Sequence, residues 1–436
     1  MRGDKVNIVI SFFLLIALLM IGIPVSFTFF AAVLYLLVTG DYSISFVAPY
    51  AFSKLSSIII MATPMYVMAG GIIEKGDLGN RLVDFIELFF GRFKGGLGVV
   101  AVLSCAMFGA ISGSATATET VIGSIMWPRL DKAGYDKGVT ASLISSCCLL
   151  GSYIPPSAMM IIFAWLCDLS VLGCFLAVLG PGLILMIAFS VWIFVKCRKD
   201  PNVKVIKFER TPAARKARRA TVVSAIPALM FPIIILGGIY GGIFTPTEAA
   251  AVATLYAIPV TIFIYHGMTF RELLKTFSET ATMSGVIMFM LFCVMMLARI
   301  YTTENLPTMM LEFTQSVTDN KYLVLLFINL IYIALGMLMD DTSAMTLAAP
   351  ILLPVAVGMG IDPYHFAAIT AVNLGLGCVT PPCAPLLYLG SKLSDTPVTK
   401  LMRSTGSIIF WIWIPIIIVV TFLPAVSTFL PSLIGK

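Results

Sequence analysis

A stretch of 43 residues occurs twice in this chain, and the two copies register without a gap at an offset of 226 positions. The first copy runs from Thr116 to Ala158 and the second from Thr342 to Ala384. An apolar composition raises chance identity, but chance does not place Gly-x-x-x-Pro-Pro-x-Ala at the same offset twice. The repeat indicates an internal duplication, which is typical of membrane transporters built from two halves. Twelve positions are identical: Thr116/Thr342, Thr120/Thr346, Ile125/Ile351, Pro128/Pro354, Gly134/Gly360, Asp136/Asp362, Ala141/Ala367, Leu150/Leu376, Gly151/Gly377, Pro155/Pro381, Pro156/Pro382 and Ala158/Ala384.

The composition places the chain in a membrane. Of its 436 residues, 59% are hydrophobic and 11% are charged, whereas a soluble domain carries about 25% charged residues. Apolar runs of about 20 residues recur along the whole length, and each is long enough to cross the hydrocarbon core. No cleavable signal peptide is evident, because the helical pattern continues beyond the apolar stretch Ile8–Met20. We predict an all-α, multi-pass protein surrounded by the lipid bilayer.

The chain lacks the residue patterns of an enzyme or a nucleic-acid-binding protein. Its two histidines, His266 and His365, stand far apart, and no zinc spacing, nucleophile elbow or phosphate loop occurs. The net charge of +6 does not indicate nucleic-acid binding, because the basic residues cluster in one loop. We therefore expect no enzymatic activity, no cofactor and no nucleic-acid partner.

Each copy of the repeat predicts two kinds of interrupted helix. Half-length apolar segments meet at small or polar residues, which predicts re-entrant helical hairpins at about 96–130 and about 322–356. Two consecutive prolines then remove backbone donors, which predicts broken helices at about 137–166 and about 364–390. Such backbone is tolerated at membrane depth only where it is buried in protein or lines a cavity.

A basic linker divides the chain into its halves. Residues 196–219 hold ten of the 28 Lys and Arg residues, and the positive-inside rule places such a loop in the cytoplasm. The linker separates a first repeat, residues 1–195, from a second, residues 220–436. If each half crosses the membrane an odd number of times, the second is inverted relative to the first and both termini are periplasmic. At the N-terminus, residues 6–39 predict either one long kinked helix or two short ones.

Two segments at matching places in the halves are amphipathic. Gly76–Gly96 repeats apolar residues at helical spacing and places its charges on another face, and Thr269–Glu279 does the same. Charged, amphipathic helices are better placed in the plane of the membrane interface than across it. We predict that both lie flat and link a scaffold to a moving domain; the alternative is short loop helices without a role.

The interrupted helices predict cation sites. A helix that ends inside the membrane presents carbonyl oxygens, and one that begins there presents amide hydrogens. A ligand set of carbonyl and hydroxyl oxygens, with no nitrogen or sulfur ligand, favours a hard cation. We therefore expect sodium as the only bound metal. The alternative is that these small residues only allow close helix packing. The predicted sodium ligands are Ser112, Gly113, Ser114, Thr116, Gly151 and Pro155 in the first half, and Asp340, Thr342, Ser343, Gly377 and Thr380 in the second.

The carboxylates near the second hairpin tip are the strongest indication of a functional site. Asp340 and Asp341 follow an apolar run, and a carboxylate deep in a membrane is costly and usually functional. The alternative is that both face water. We expect Asp340→Asn to nearly abolish transport and Asp341→Asn to be milder. Glu119 and Glu248 are weaker candidates. The predicted substrate contacts are Ser112, Ser157, Asp340, Asn373 and Thr380.

Six motifs together resemble the large membrane subunit of the tripartite ATP-independent periplasmic (TRAP) transporters, over essentially the whole chain. They are the sequences at 108–115, 134–138, 154–157, 349–354, 360–363 and 380–382. The resemblance implies an elevator-type fold in the bacterial inner membrane and sodium-driven uptake of an organic acid, such as sialic acid or a C4-dicarboxylate. It also implies two partners: a small four-helix membrane subunit (Q type) and a periplasmic substrate-binding protein (P type).

This chain departs from the family pattern in two places. Where family members often have Asp followed by Pro or Thr at the second tip, it has Asp340-Asp341-Thr342, so the family role is open between the two aspartates. The second break reads Pro-Pro-Cys and the first Pro-Pro-Ser, which makes Ser157 the firmer substrate candidate. The competing hypotheses are a stand-alone sodium/anion symporter of related architecture, and a membrane-embedded enzyme or channel.

Overall fold

The computed structural model describes residues 2–40, 42–198, 200–204 and 212–433, with side chains from residue 6 and, after the linker, from residue 216. Within these ranges the chain is helical and contains no β-strand. The predicted all-α fold class is confirmed. Much of the predicted linker, residue 199 and residues 205–211, lies outside the described residues.

The described residues of the first half form eleven helices. They are α1 (Arg2–Met20), α2 (Val25–Thr39), α3 (Ile44–Leu55), α4 (Ala62–Lys75), α5 (Leu78–Phe90), α6 (Gly96–Ser112), α7 (Ala115–Lys132), α8 (Lys137–Cys147), α9 (Leu150–Tyr153), α10 (Ala158–Leu166) and α11 (Val171–Arg198).

Eleven more lie within residues 212–433 of the second half. They are α12 (Pro212–Tyr240), α13 (Pro246–Pro259), α14 (Phe270–Thr303), α15 (Leu306–Val317), α16 (Lys321–Leu338), α17 (Asp341–Gly358), α18 (Pro363–Cys378), α19 (Pro385–Ser394), α20 (Val398–Ile408), α21 (Ile414–Phe422) and α22 (Ala425–Leu433). Short π-helical turns, Val260–Ile264 after α13 and Ile409–Trp413 between α20 and α21, continue their helices.

Seven of the described helices are long and apolar enough to cross a membrane by length and composition. An eighth crossing arises if the pair Lys137–Tyr153 and Ala158–Leu166, bent by 48° at the first Pro-Pro break, counts as one span. The chain is therefore a multi-pass membrane protein.

The N-terminal segment forms two helices rather than one kinked helix. Gly22 adopts φ +90°, a left-handed conformation that favours glycine, and Pro24 directly precedes the first residue of α2. The chain reverses there, so that α1 and α2 pack together and the Asn7 side-chain amide donates to the carbonyl of Thr39 at 3.1 Å. A Gly and a Pro two residues apart thus end one helix and begin the next.

The prediction that Thr269–Glu279 forms a separate interfacial helix is wrong. Thr269 caps α14 in a capping box with Glu272, and the helix then runs for 34 residues without interruption to Thr303. The other segment does form its own helix, α5, which buries Leu78, Leu82 and Ile86. The charged face of α5 is not simply solvated, because Asp84 and Glu87 both accept from the Arg129 guanidinium of α7, at 2.7 and 2.8 Å.

We expect Arg129→Ala to loosen α5 from the first hairpin. Charge-assisted hydrogen bonds contribute about 1.5–3 kcal/mol each when well shielded, but these groups are partly solvated, so the expected loss is about 1–2 kcal/mol of unfolding free energy. Thermal unfolding of the purified protein measures this, with Lys275→Ala, an exposed ion-pair change, as the control. If Arg129→Ala unfolded at the same temperature as the control, the proposed stabilisation of the α5–α7 contact by Arg129 would be contradicted.

The two hairpins, α6–α7 and α16–α17, approach the middle of the bundle from opposite ends. The base of the first lies beside the end of α11, because Gly95, directly before α6, packs against Phe194 and Cys197. The base of the second lies beside the start of α11, since Tyr364, just after α17, packs against Gly173. With 28 residues, α11 separates these ends by about 42 Å.

Candidate functional site

Both hairpin tips line one internal cavity of about 460 Å³, the central cavity. Residues from the first Pro-Pro break, the start of α19 and the helices α2, α4 and α14 complete its wall, and those from α4 and α14 are apolar. Hydroxyl and carboxylate oxygens thus converge from the two halves of the chain on one space. The polar and break-region lining residues are Ser26, Gly113, Ser114, Thr116, Ser152, Ala158, Asp340, Asp341, Thr342, Ser343, Cys378 and Pro385.

The tips fold in the same way because each second helix begins with a capping residue. Ser114 accepts from the Ala117 amide at 3.4 Å at the start of α7, and Asp340 accepts from the Ser343 amide at 3.1 Å at the start of α17. The caps occupy equivalent repeat positions, and such side chains satisfy amides that the first turn of a helix leaves free. In the first tip, Gly113 supplies the left-handed turn at φ +63°. The duplication found in the sequence is therefore also a duplication of tip structure.

The first tip packs directly on the first break. The Ala158 amide donates to the carbonyl of Gly113 at 3.3 Å, and a Cβ on Gly113 would lie 2.8 Å from the Pro156 oxygen. Both breaks contain a cis Pro-Pro bond, Pro155–Pro156 and Pro381–Pro382. The first hairpin tip and the first break are therefore in direct contact.

Thr118 is a supporting residue that sequence reasoning missed. Its buried hydroxyl donates to the carbonyl of Ser114 at 2.7 Å and lies 3.3 Å from the Ser112 hydroxyl. Ser112 is thus buried behind the tip rather than on the cavity wall. A hydroxyl four residues after a capping serine could have signalled this role, because residues i and i+4 share one helix face.

Glycine pairs allow the hairpins to approach the breaks. A Cβ on Gly151 would lie 3.2 Å from the Gly109 Cα and 3.0 Å from the Ser114 oxygen. In the second half, a Cβ on Gly377 would lie 2.6 Å from the Gly336 Cα. Gly151 and Gly377 therefore support the tips from behind through backbone contact, and neither is on the cavity wall.

The two aspartates of the second tip have different surroundings. Asp340 is exposed to the cavity, and its carboxylate caps α17 by accepting from both the amide and the hydroxyl of Ser343. Asp341 is partly buried and accepts from the Ser152 hydroxyl of α9 at 3.1 Å. Asp341 is therefore the aspartate that joins the second hairpin to the broken helix of the first half.

Several predicted contacts lie away from the cavity wall. Ser157 is fully buried and caps α10 by accepting from the Met160 amide at 3.3 Å. The Thr380 hydroxyl donates to the Leu376 carbonyl at 2.6 Å, and neither Thr380 nor Pro155 lines the cavity. Ser112, Ser157 and Thr380, three of the predicted substrate contacts, therefore lie off the wall of the central cavity.

Asn373 also lies away from the cavity wall. Its side-chain amide donates to the Asn329 oxygen at 2.9 Å, and Asn329 in turn donates to the Thr421 hydroxyl at 2.9 Å. This buried chain joins α16, α18 and α21, because polar groups in a membrane interior seek partners on neighbouring helices. Asn373 therefore holds helices together, and it does not line the central cavity.

The weaker acidic candidates lie elsewhere as well. Glu248 is the acidic member of the capping box that begins α13, with Thr245, and it does not contribute to the cavity. Glu119 is fully buried between helices and also does not reach the cavity. Neither residue fits a role in the central site.

An all-helical, multi-pass chain whose two hairpin tips meet around one cavity, with carboxylate and hydroxyl groups on an otherwise apolar wall, has the architecture of a secondary membrane transporter. A family model described as tripartite ATP-independent periplasmic transporter, DctM component, matches residues 12–426. The chain belongs to this family of large membrane permeases, for which the bacterial inner membrane is the expected location.

Curated relatives agree along nearly the full length. The C4-dicarboxylate TRAP transporter large permease protein DctM of Rhodobacter capsulatus is 32% identical, covering 98% of this chain and 99% of that protein. The sialic acid TRAP transporter large permease protein SiaM of Vibrio cholerae is 31% identical, covering 97% and 98%. The crystal structure of the YdaH transporter of Alcanivorax borkumensis shares the fold, with a TM-score of 0.64 at 13% identity over 90% of this chain and 89% of that one.

Proposed function

We propose that this chain is the permease of a sodium-coupled TRAP transporter that imports an organic acid through the central cavity. One observation carries the proposal: the described residues lining the cavity include two carboxylates, Asp340 and Asp341, and no Lys, Arg or His. An anionic substrate entering this space would meet like charge at low dielectric, which is strongly unfavourable unless cations enter with it. Coupling to sodium supplies that positive charge.

The oxygen ligands support sodium as the coupling ion. Gly113, Ser114 and Thr116 offer hydroxyl and carbonyl oxygens at one tip, and Asp340, Thr342 and Ser343 offer oxygens at the other. Such ligand sets suit hard cations. Ser112, Gly151 and Pro155 behind the first tip, with Gly377 and Thr380 in the second half, can add backbone or hydroxyl oxygens if the hairpins move. The Asp340 carboxylate remains the proposed substrate-facing group.

The opposite approach of the hairpins supports an inverted repeat and an elevator-type transport cycle. Both tips line the cavity, so displacement of the hairpins and broken helices relative to the remaining helices would expose the cavity alternately. The relatives named for C4-dicarboxylate and sialic acid transport favour a carboxylate substrate. Because the family is one component of a tripartite system, we propose a small Q-type membrane subunit and a P-type periplasmic binding protein as partners.

Uptake into proteoliposomes tests the proposed function. We expect labelled sialic acid, succinate or a keto acid to accumulate only with an inward sodium gradient, the small subunit and the cognate binding protein, because charge compensation at the cavity requires the cation. The same vesicles with potassium replacing sodium are the control. Uptake in sodium-free buffer with only a proton gradient would overturn the sodium coupling. Full uptake without the binding protein would favour a stand-alone symporter.

A further inference from the structure

Glu119 is a buried carboxyl group that the central cavity does not use. It lies on α7 with no exposed surface, and its Oε1 is 2.5 Å from the Ser145 hydroxyl of α8. Its other oxygen, Oε2, is buried and has no hydrogen-bond partner within the described part of the chain. An ionised carboxylate with one oxygen unpartnered in such a place is strongly disfavoured, whereas a neutral acid is tolerated.

A third helix, from the other half of the chain, closes the site. Gly390 of α19 packs against the pair, and a Cβ at this position would overlap the Ser145 hydroxyl and lie 2.7 Å from Glu119 Oε1. The absence of a side chain at Gly390 allows α19 to cover the carboxyl group. Thus α7 of the first hairpin, α8 of the first broken helix and α19 of the second broken helix meet at Glu119.

No charged side chain among the described residues of the surrounding helices compensates Glu119. The titratable groups that interact electrostatically with Glu119 are the buried thiols of Cys105 on α6 and Cys148 on α8. On α5, Asp84 and Glu87 bind Arg129, ten residues along α7 and about 15 Å away. In the described part of the chain, the other ionisable groups of the neighbouring helices are not bonded to it; among them are Glu74 and Lys75 of α4, Tyr153 of α9, Lys137 of α8 and Lys392 of α19.

We propose that Glu119 is a proton-binding site that holds α7, α8 and α19 together as one body. In the protonated acid, the proton sits on Oε1 and points to the Ser145 hydroxyl oxygen, which leaves only an uncharged carbonyl oxygen at Oε2. Loss of this proton to solvent creates a buried negative charge at the contact with Gly390. Deprotonation therefore favours separation of α19 from α7 and admission of water. This site is separate from the central cavity and does not depend on which substrate is transported.

The pH dependence of unfolding tests the proton site. A carboxyl that stays protonated only when folded contributes stability at low pH, and this contribution is lost as the pH rises. We expect the thermal midpoint of the purified wild-type protein to fall by several degrees more than that of Glu119→Gln between about pH 6 and about pH 9. Glu248→Gln, an exposed capping change, is the matched control and should keep the wild-type slope. Equal slopes for wild type and Glu119→Gln would overturn the proposal.

Infrared spectroscopy gives a second measurement that does not require Glu119→Gln to fold. The wild-type protein should show the C=O stretch of a protonated, buried carboxyl group near neutral pH, and the band should disappear as the pH rises. Ser145→Ala should shift the band, because it removes the hydrogen bond to Oε1. A wild-type spectrum without this band, or a band unaffected by Ser145→Ala, would show that Glu119 is not the proton-binding group.

Discussion

Asp341→Asn should reduce uptake by about 30- to 1000-fold while leaving expression and assembly intact. The carboxylate of Asp341 is partly buried, lines the central cavity and accepts from Ser152 of the other half. Asn keeps the size and one acceptor but removes the charge that sodium would offset. Loss of a charged partner at a desolvated site costs about 2–4 kcal/mol, and about 1.4 kcal/mol corresponds to a tenfold change. Sodium-dependent uptake in proteoliposomes measures the effect.

Asp340→Asn is the matched comparison, and we expect it to be milder. The Asp340 carboxylate already accepts two hydrogen bonds from Ser343 as the cap of α17, and Asn is an equally good capping residue. This order reverses the expectation from sequence, which gave Asp340 the larger role. The reversal depends on the Ser152 contact, so a larger loss for Asp340→Asn than for Asp341→Asn would restore the original order.

Gly151→Ala should reduce uptake by about 100-fold and destabilise the protein by about 1–3 kcal/mol. The new methyl group would lie 2.7 Å from the Thr118 hydroxyl and 3.0 Å from the Ser114 carbonyl oxygen, and on its other side it meets the Gly109 backbone. Overpacking against backbone cannot be relieved by rotating a side chain, so the first tip must move. A shift of about 1 Å in a binding site can cost about 100-fold. Uptake and thermal unfolding of the same preparation measure both effects.

Two further glycine substitutions make this prediction specific. Gly377→Ala, at the equivalent position of the second half, places its methyl group against the Gly336 backbone and should be similarly damaging. Gly406→Ala, on α20, meets nothing within 4 Å and should leave uptake unchanged. If Gly406→Ala were as harmful as Gly151→Ala, helix substitution itself rather than the tip contact would explain the loss.

Local signals in the sequence located the interruptions of the fold well. The small residues before Ser114 and the Pro-Pro pairs mark where helices end, and the helices α6, α7, α8 and α10 begin and end close to those marks. The amphipathic pattern of residues 269–279 led to the wrong prediction of a separate interfacial helix. An amphipathic turn at the start of a long helix has the same periodicity as such a helix. Only the uninterrupted hydrogen bonding of α14 distinguishes the two cases.

The sequence by itself determined that the chain is a duplicated, all-helical membrane protein with paired polar interruptions, because composition, periodicity and proline chemistry act locally. The tertiary structure alone decided which polar groups share a cavity. Whether Asp340 or Asp341 reaches Ser152, whether Asn373 meets Asn329, and whether Thr118 supports the tip all depend on helix rotation and on contacts between residues far apart in the chain. Local propensity carries no information about those distances, since they are set by the packing of both halves around the central cavity.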